Sequence, residues 1–115
     1  MHNIMVQEHV IDLGKHRIKN ARIFTTRPRG ETVRKDSRID EYERNFQRII
    51  VSVPADTITV NPSFLEEFLR HVVIKLGAKA FREKFRFETK GTFNIEENLQ
   101  LAIEHILRKT NALVP

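Results

Sequence analysis

Along this chain, short extended stretches rich in β-branched residues alternate with longer ones whose apolar positions recur every three or four residues. Proline, glycine or a capping residue marks most changes of period. The clearest case is residues 57–77. Thr57-Ile58-Thr59-Val60 extends, Asn61 is a good N-cap, and Pro62 suits a first helical position, where a missing N–H costs nothing. Ser63 with Glu66 offers an alternative capping box, and Glu66 and Glu67 sit where the helix dipole favours negative charge. Phe64, Leu65, Phe68, Leu69, Val72, Val73 and Leu76 then form a wide stripe at helical period, and Gly77 supplies a left-handed stop. At about 2 kcal/mol per fully buried large apolar side chain, this stripe supplies roughly 10 kcal/mol before conformational entropy is subtracted. It belongs to the core.

The same reading places a first strand at residues 4–12, ended by Leu13-Gly14-Lys15 as turn chemistry, and a second at residues 21–26. Arg27-Pro28-Arg29-Gly30 interrupts regular structure, because proline lacks a donor and glycine tolerates positive φ. From Glu31 to Phe46 the chain is polar, with Val33, Ile39, Tyr42 and Phe46 at spacings that suit a helix resting one narrow stripe on a sheet. Gln47 to Val53 is the most β-branched run and predicts a central strand, closed by Pro54. Phe81 to Glu88 alternates phenylalanine with charge, which predicts a strand with one wet face whose charges discourage edge-to-edge aggregation. Lys90-Gly91-Thr92-Phe93 turns, and Asn94 with Glu97 opens a last helix to about Thr110, with Ile95, Leu99, Ala102, Ile103 and Ile106 on one face.

Strands that alternate with helices require crossover connections. The expected fold is α/β, with a mixed, partly parallel sheet of four or five strands and about three helices packed against it. Residues 1–115 fit one domain, with 110–115 as a frayed tail.

Composition narrows the chemistry. Apolar residues make up 40% and charged residues 30% of the chain, as in ordinary globular proteins. There is no cysteine, which removes disulfides, thiolate ligands and a cysteine nucleophile. No apolar run approaches the roughly 20 residues of a membrane span, and no leader pattern opens the chain, so a cytoplasmic location without membrane association is expected. The formal net charge is +5, and its excess is concentrated where Lys15, Arg17, Lys19, Arg22, Arg27, Arg29, Arg34, Lys35 and Arg38 face only Glu31 and Asp36. Such a segment either is a solvated basic face or attracts a polyanion or acidic protein.

No catalytic constellation emerges. His2, His9, His16, His71 and His105 have no metal-site spacing, and neither a Gly-x-Ser-x-Gly elbow nor a Ser-x-x-Lys pair occurs. Ser63, Glu66 and Glu67 have structural explanations as cap and dipole partners. No enzyme activity, metal or cofactor is expected. Gly30 lies near a helix start, where backbone donors with Arg27 and Arg29 can hold a phosphate or carboxylate, and Arg34 extends this anion or partner contact. The basic segment lacks interleaved exposed aromatics and matches no nucleic-acid motif.

The short strand at Ile58, the Asn-Pro-Ser-Phe-Leu-Glu-Glu-Phe motif and the amphipathic helix to Gly77 resemble the STAS-like domain of unknown function, related to the STAS domain of anti-sigma-factor antagonists and sulfate transporters. Thr25 to Arg34 is similar to the Arg-x-x-Gly approach to that family's first helix, and Phe81 to Phe87 to its next strand. The likeness covers about residues 20–107. It implies a small mixed sheet with packed helices and a role in partner switching, with a surface near the second helix meeting a serine-kinase-type ATPase or another regulator. Antagonist-type members carry a phosphorylatable serine in a Phe-Met-Asp-Ser-Ser-Gly context. Phe64-Leu65-Glu66 matches Phe-Met-Asp, but Glu67 and Phe68 follow, so that acceptor is absent; Ser63 is the fallback, and Glu67 offers a fixed negative charge in its place.

The resemblance thus implies a non-enzymatic regulatory domain that binds a protein partner through Asn61, Ser63, Glu66, Glu67 and Arg70, on an opening turn that faces outward, together with the Arg27–Gly30 loop. The alternative is a basic nucleic-acid-associated protein that contacts phosphates through residues 15–38. A small hydrolase or transferase has no residues behind it.

Overall fold

Extended and helical segments alternate much as their periodicity predicts. A computed structural model describes residues 7–112. The elements are β1 (Glu8–Asp12), a 3-10 turn (Leu13–Lys15), β2 (Ile23–Phe24), α1 (Arg27–Ser37), α2 (Ile39–Asn45), β3 (Arg48–Val53), β4 (Thr59–Val60), α3 (Pro62–Lys84), β5 (Phe85–Thr89) and α4 (Glu96–Ala112). The fold is α/β. Where about three helices and one partly parallel sheet were expected, the described residues form four helices and two sheets, ordered β1-β3-β5 and β2-β4. Every strand pairing is parallel. The reason lies in the connections: each strand pairs with the next but one in sequence, so each pair is joined by a long crossover and none by a hairpin.

In the larger sheet the strands follow chain order, so both crossovers step the same way, and right-handed connections then place their helices on one side. Burial follows this rule. His9, Ile11, Ile49, Val51, Val53, Phe85 and Phe87 face the helices, whereas Glu8, Val10, Arg48, Ile50, Arg86 and Glu88 face away. On the open face Val10 is 55% exposed, and Arg48 pairs with Glu8 across the strands at 3.1 Å.

α3 is the centre of the core. Phe64, Leu65, Phe68, Leu69, Val72 and Val73 are all buried, between α1 and α4 and in one core cluster with Ile49, Val51 and Val53. Leu76 is only partly buried at the edge of this cluster. Among the described residues, no helix is long and apolar enough to cross a membrane.

Four boundaries differ from expectation, each for a local reason. Arg27–Gly30 is the first turn of α1 and not an interruption. Thr26 caps it, its Oγ1 accepting from the Arg29 N–H at 3.3 Å, and Pro28 lies in the first turn, where no donor is missed. The helix expected over 31–46 breaks at Arg38, which takes a left-handed conformation (φ 58°, ψ 35°) and separates α1 from α2. Gly77 interrupts α3 with φ 78° and ψ 169°, but helical backbone resumes to Lys84. Phe81 therefore belongs to that last turn, and the expected strand starts four residues later, at Phe85. The two rings stack with centroids 4.7 Å apart. Residues 4–6 of the first expected strand and residues 113–115 of the tail lie outside the described residues. Thr110 is still helical, its Oγ1 donating to the Ile106 carbonyl at 2.9 Å.

Candidate functional site

The two strands of the smaller sheet end side by side, and each runs directly into a helix. Ile23 pairs with Thr59 and Phe24 with Val60; the Ile58 and Asn61 N–H groups donate to the Arg22 and Phe24 carbonyls at 2.7 and 2.8 Å. Asn98 of α4 covers the far side of β4, its Nδ2 donating to the Val60 carbonyl at 2.9 Å. Parallel pairing thus sets the N-terminal ends of α1 and α3 next to one another. They approach closely because Gly30 has no side chain: a Cβ there would stand 2.3 Å from the Phe64 carbonyl oxygen. The two groups singled out in the sequence, Arg27, Arg29, Gly30 and Arg34 on α1 and Asn61, Ser63, Glu66, Glu67 and Arg70 around the start of α3, are therefore neighbours.

Much of that surface turns inward. Glu66 is only 2% exposed and is ringed by Arg27 Nη1 at 3.2 Å, His105 Nδ1 at 3.3 Å and Lys109 Nζ at 3.5 Å. Burial, the largest influence on this carboxyl, pushes its pKa up. The hydrogen bonds from Arg27 and His105 and the charges of Arg27 and Lys109 outweigh it and hold the group below its ordinary value. Glu67 is clasped by Arg70 at 2.7 and 3.3 Å and flanked by Arg34 at 3.6 Å and Arg27 at 3.9 Å. The Arg70 hydrogen bond is the leading cause of its lowered pKa. Arg34 is itself buried and also donates to the Glu67 carbonyl.

The outward-facing opening turn expected here is thus realised only at its rim, by half-buried Asn61 and Ser63. The reciprocal capping box between Ser63 and Glu66 does not form, because Glu66 is committed to Arg27, His105 and Lys109. Asn61 occupies the cap position without a side-chain cap bond; its Oδ1 lies 3.3 Å from Thr59 Oγ1, which donates to it. Phe68 is fully buried in the core.

Arg29 turns away from this network and donates to the His16 carbonyl at 2.7 Å. Its stem forms one wall of a groove of about 270 Å³ lined also by Arg17, Ile18, Ala21, Ile23, Phe24, Thr25 and Phe64. The rim is apolar: Ile18 is 61% and Ile23 48% exposed. Sequence reading missed this patch because Ile18 and Ile23 lie in short, unpatterned segments and meet only around this groove.

The basic segment from residue 15 to 38 is largely occupied within the molecule. Arg17 pairs with Asp56 at 2.7 Å, Arg22 Nε donates to the Asp56 carbonyl at 3.2 Å, Lys35 pairs with Glu31 at 3.0 Å, and Arg38 pairs with Glu41 at 2.9 Å. Arg27, Arg29 and Arg34 have the partners given above, and Lys15 and Lys19 are the members of the strip with no such partner among the described residues.

A second buried acid also went unread. Glu43 of α2, 3% exposed, receives Lys75 Nζ at 2.7 Å and Lys84 Nζ at 3.5 Å, and Lys84 also donates to the Glu43 carbonyl at 2.5 Å. Burial raises its pKa, and the two lysines more than reverse that. Nearby, His71 Nδ1 lies 2.7 Å from Asp40 Oδ2, linking α3 to α2. His9 stacks on Tyr42 with ring centroids 3.5 Å apart. Among the described residues, no group of three or more His, Asp or Glu is placed to hold a metal ion. No family model, curated protein or solved structure matches this chain.

Proposed function

We propose that this chain is a non-enzymatic, STAS-like regulatory domain that binds a protein partner of the kinase-type ATPase class at the paired strand-to-helix junctions. The observation that carries the reading is that Ile18 and Ile23, 61% and 48% exposed, stand at a groove floored by Phe24 and Phe64. Single exposed apolar residues are ordinary on any surface, but a contiguous cluster beside a concave apolar groove is the usual form of a protein-recognition patch. The apolar groove, with half-buried Asn61 and Ser63 near by, favours a partner segment whose apolar side chains are flanked by polar ones.

In this reading Glu66, Glu67 and Arg34 hold α1, α3 and α4 in place beneath the surface, while Arg27 and Arg70 border it. The class of partner comes from the resemblance of Asn61 to Phe68 to STAS-like domains. Ser63, at the start of α3, is the hydroxyl available to a partner kinase, and a phosphate there would be favoured by the helix dipole. The alternative, phosphate binding along residues 15–38, is weakened by the intramolecular partners of most of those bases.

The test is co-purification of the chain with a kinase-type ATPase encoded beside its own gene, using the wild type and Ile23→Glu. Capture by the wild type and its loss in the variant, at unchanged melting temperature, supports the reading. Equal capture by both rejects this surface, and no capture by either rejects the partner class.

A further inference from the structure

β5 is an edge strand of the three-stranded sheet, and its outward row is written to match a copy of itself. The register with β3 and the bond from the Lys90 N–H to the Val53 carbonyl fix the phase of the ladder. In that phase the N–H and C=O groups of Arg86 and Glu88 point toward β3, and those of Phe87 and Thr89, with the Phe85 carbonyl, point to the free edge, while the Phe85 N–H donates to the Phe81 carbonyl at the end of α3. A second strand can use these groups without displacing any bond within the sheet.

The side chains select which strand that is. Arg86 and Glu88 are both exposed on the open face of the sheet, and neither has a salt-bridge or hydrogen-bond partner among the described residues. They are opposite in sign and two residues apart. An antiparallel copy related by a two-fold axis at Phe87 makes Phe87 opposite Phe87 a doubly hydrogen-bonded pair, and each Phe85 opposite Thr89 a pair with one bond, from the Thr89 N–H to the Phe85 carbonyl, because the Phe85 N–H stays with Phe81. Arg86 then stands opposite Glu88 twice, in the non-hydrogen-bonded pairs where side chains approach most closely. Centring the axis on Phe85 would instead set Arg86 against Lys84. The same edge borders a groove of about 290 Å³ lined mostly by charged side chains, among them Arg82, Glu83 and Glu96, beside Phe85, Phe87 and Leu99. β1, the other edge of the sheet, lacks this complementarity: an antiparallel copy centred on Val10 sets Glu8 against Asp12.

We propose that the chain forms a two-fold dimer through antiparallel pairing of β5 with β5 of a second copy, which joins the two three-stranded sheets into one continuous sheet. The contact is isologous, so it closes on itself and stops at two copies. It lies on a different sheet from the β2–β4 junctions and does not depend on the partner reading.

The experiment is sedimentation of the full chain over a concentration series. Arg86→Glu alone sets like charges opposite one another and is expected to raise the dimer dissociation constant at least about tenfold. Glu88→Arg alone is expected to do the same. An equimolar mixture of the two variants pairs Glu with Arg at every facing position and is expected to dimerise as well as the wild type, a result that loss of folding in either variant would not give. A wild-type chain that stays monomeric throughout the series, or single variants that dimerise with wild-type affinity, overturns the proposal.

Discussion

Gly30 of α1 lies so close to α3 that a Cβ added there would stand 2.3 Å from the Phe64 carbonyl oxygen and 3.0 Å from Glu67 Cβ. The first obstacle is backbone, which cannot rotate aside, so the helices themselves must part. Gly30→Ala is therefore expected to destabilise the fold by about 2–3 kcal/mol, the cost of overpacking a rigid contact. Urea unfolding measures this, and a wild-type midpoint would mean that α1 shifts freely against α3. Because Phe64 and Arg29 line the groove, the same variant should also weaken partner capture.

Gly77 makes a useful contrast. A Cβ there meets nothing within 4 Å, but its φ of 78° with ψ of 169° is a conformation that L-residues avoid. Gly77→Ala is expected to cost about 1–3 kcal/mol through backbone strain alone. Proteolysis and unfolding assays should place any loosening in the 78–84 segment; an unchanged midpoint would show that α3 straightens without loss.

Glu66 gives a pH-dependent prediction. Its folded pKa lies below its ordinary value of 4.5, so it stabilises the fold above that value, and this contribution is lost as pH falls through the lower folded pKa. Glu43 and Glu67 act in the same direction. Glu66→Gln is expected to cost about 1–2 kcal/mol near neutral pH, less than for a fully buried pair, because Arg27, His105 and Lys109 are half-exposed and can turn to water. Melting temperature followed from pH 7 downward should fall less steeply for the variant than for the wild type. Parallel curves would refute the assignment.

Residues 15–38 are expected to give no salt-sensitive retention of duplex DNA or RNA, because most of their charge is already compensated within the molecule. Gel-shift titrations at two salt concentrations check this. A shift at low salt that collapses at higher salt, the signature of counterion release, would restore the nucleic-acid reading.

The α3 stripe was legible because one helix face meets one core, so its periodicity carries the whole signal. The same logic that found Asn61-Pro62 applies to Thr26-Arg27-Pro28, where the arginines drew attention to the charge and away from the cap. Phe81 and Phe85 are four residues apart, and Phe85 and Phe87 two, so one aromatic series fits both periods; only the packing of α3 places the change at Phe85. The left-handed Arg38 has no local signature, since neither glycine nor asparagine marks it. Least legible was the inward turn of Glu66, whose partners lie 39 to 43 residues away on two other helices. The sequence showed an acidic first turn; the topology converts it into the hub of three helices.

Skip-one pairing also bears on how the molecule is made. β1 meets β3, β2 meets β4 and β3 meets β5, each across an intervening helix, so no strand finds a partner near it along the chain. Sheet assembly must await closure of long segments, and contacts of that separation slow folding. Helical structure is then expected to appear in kinetic experiments before the strands are protected from amide exchange. Simultaneous protection of β3 and α3 would show that the two form in one step.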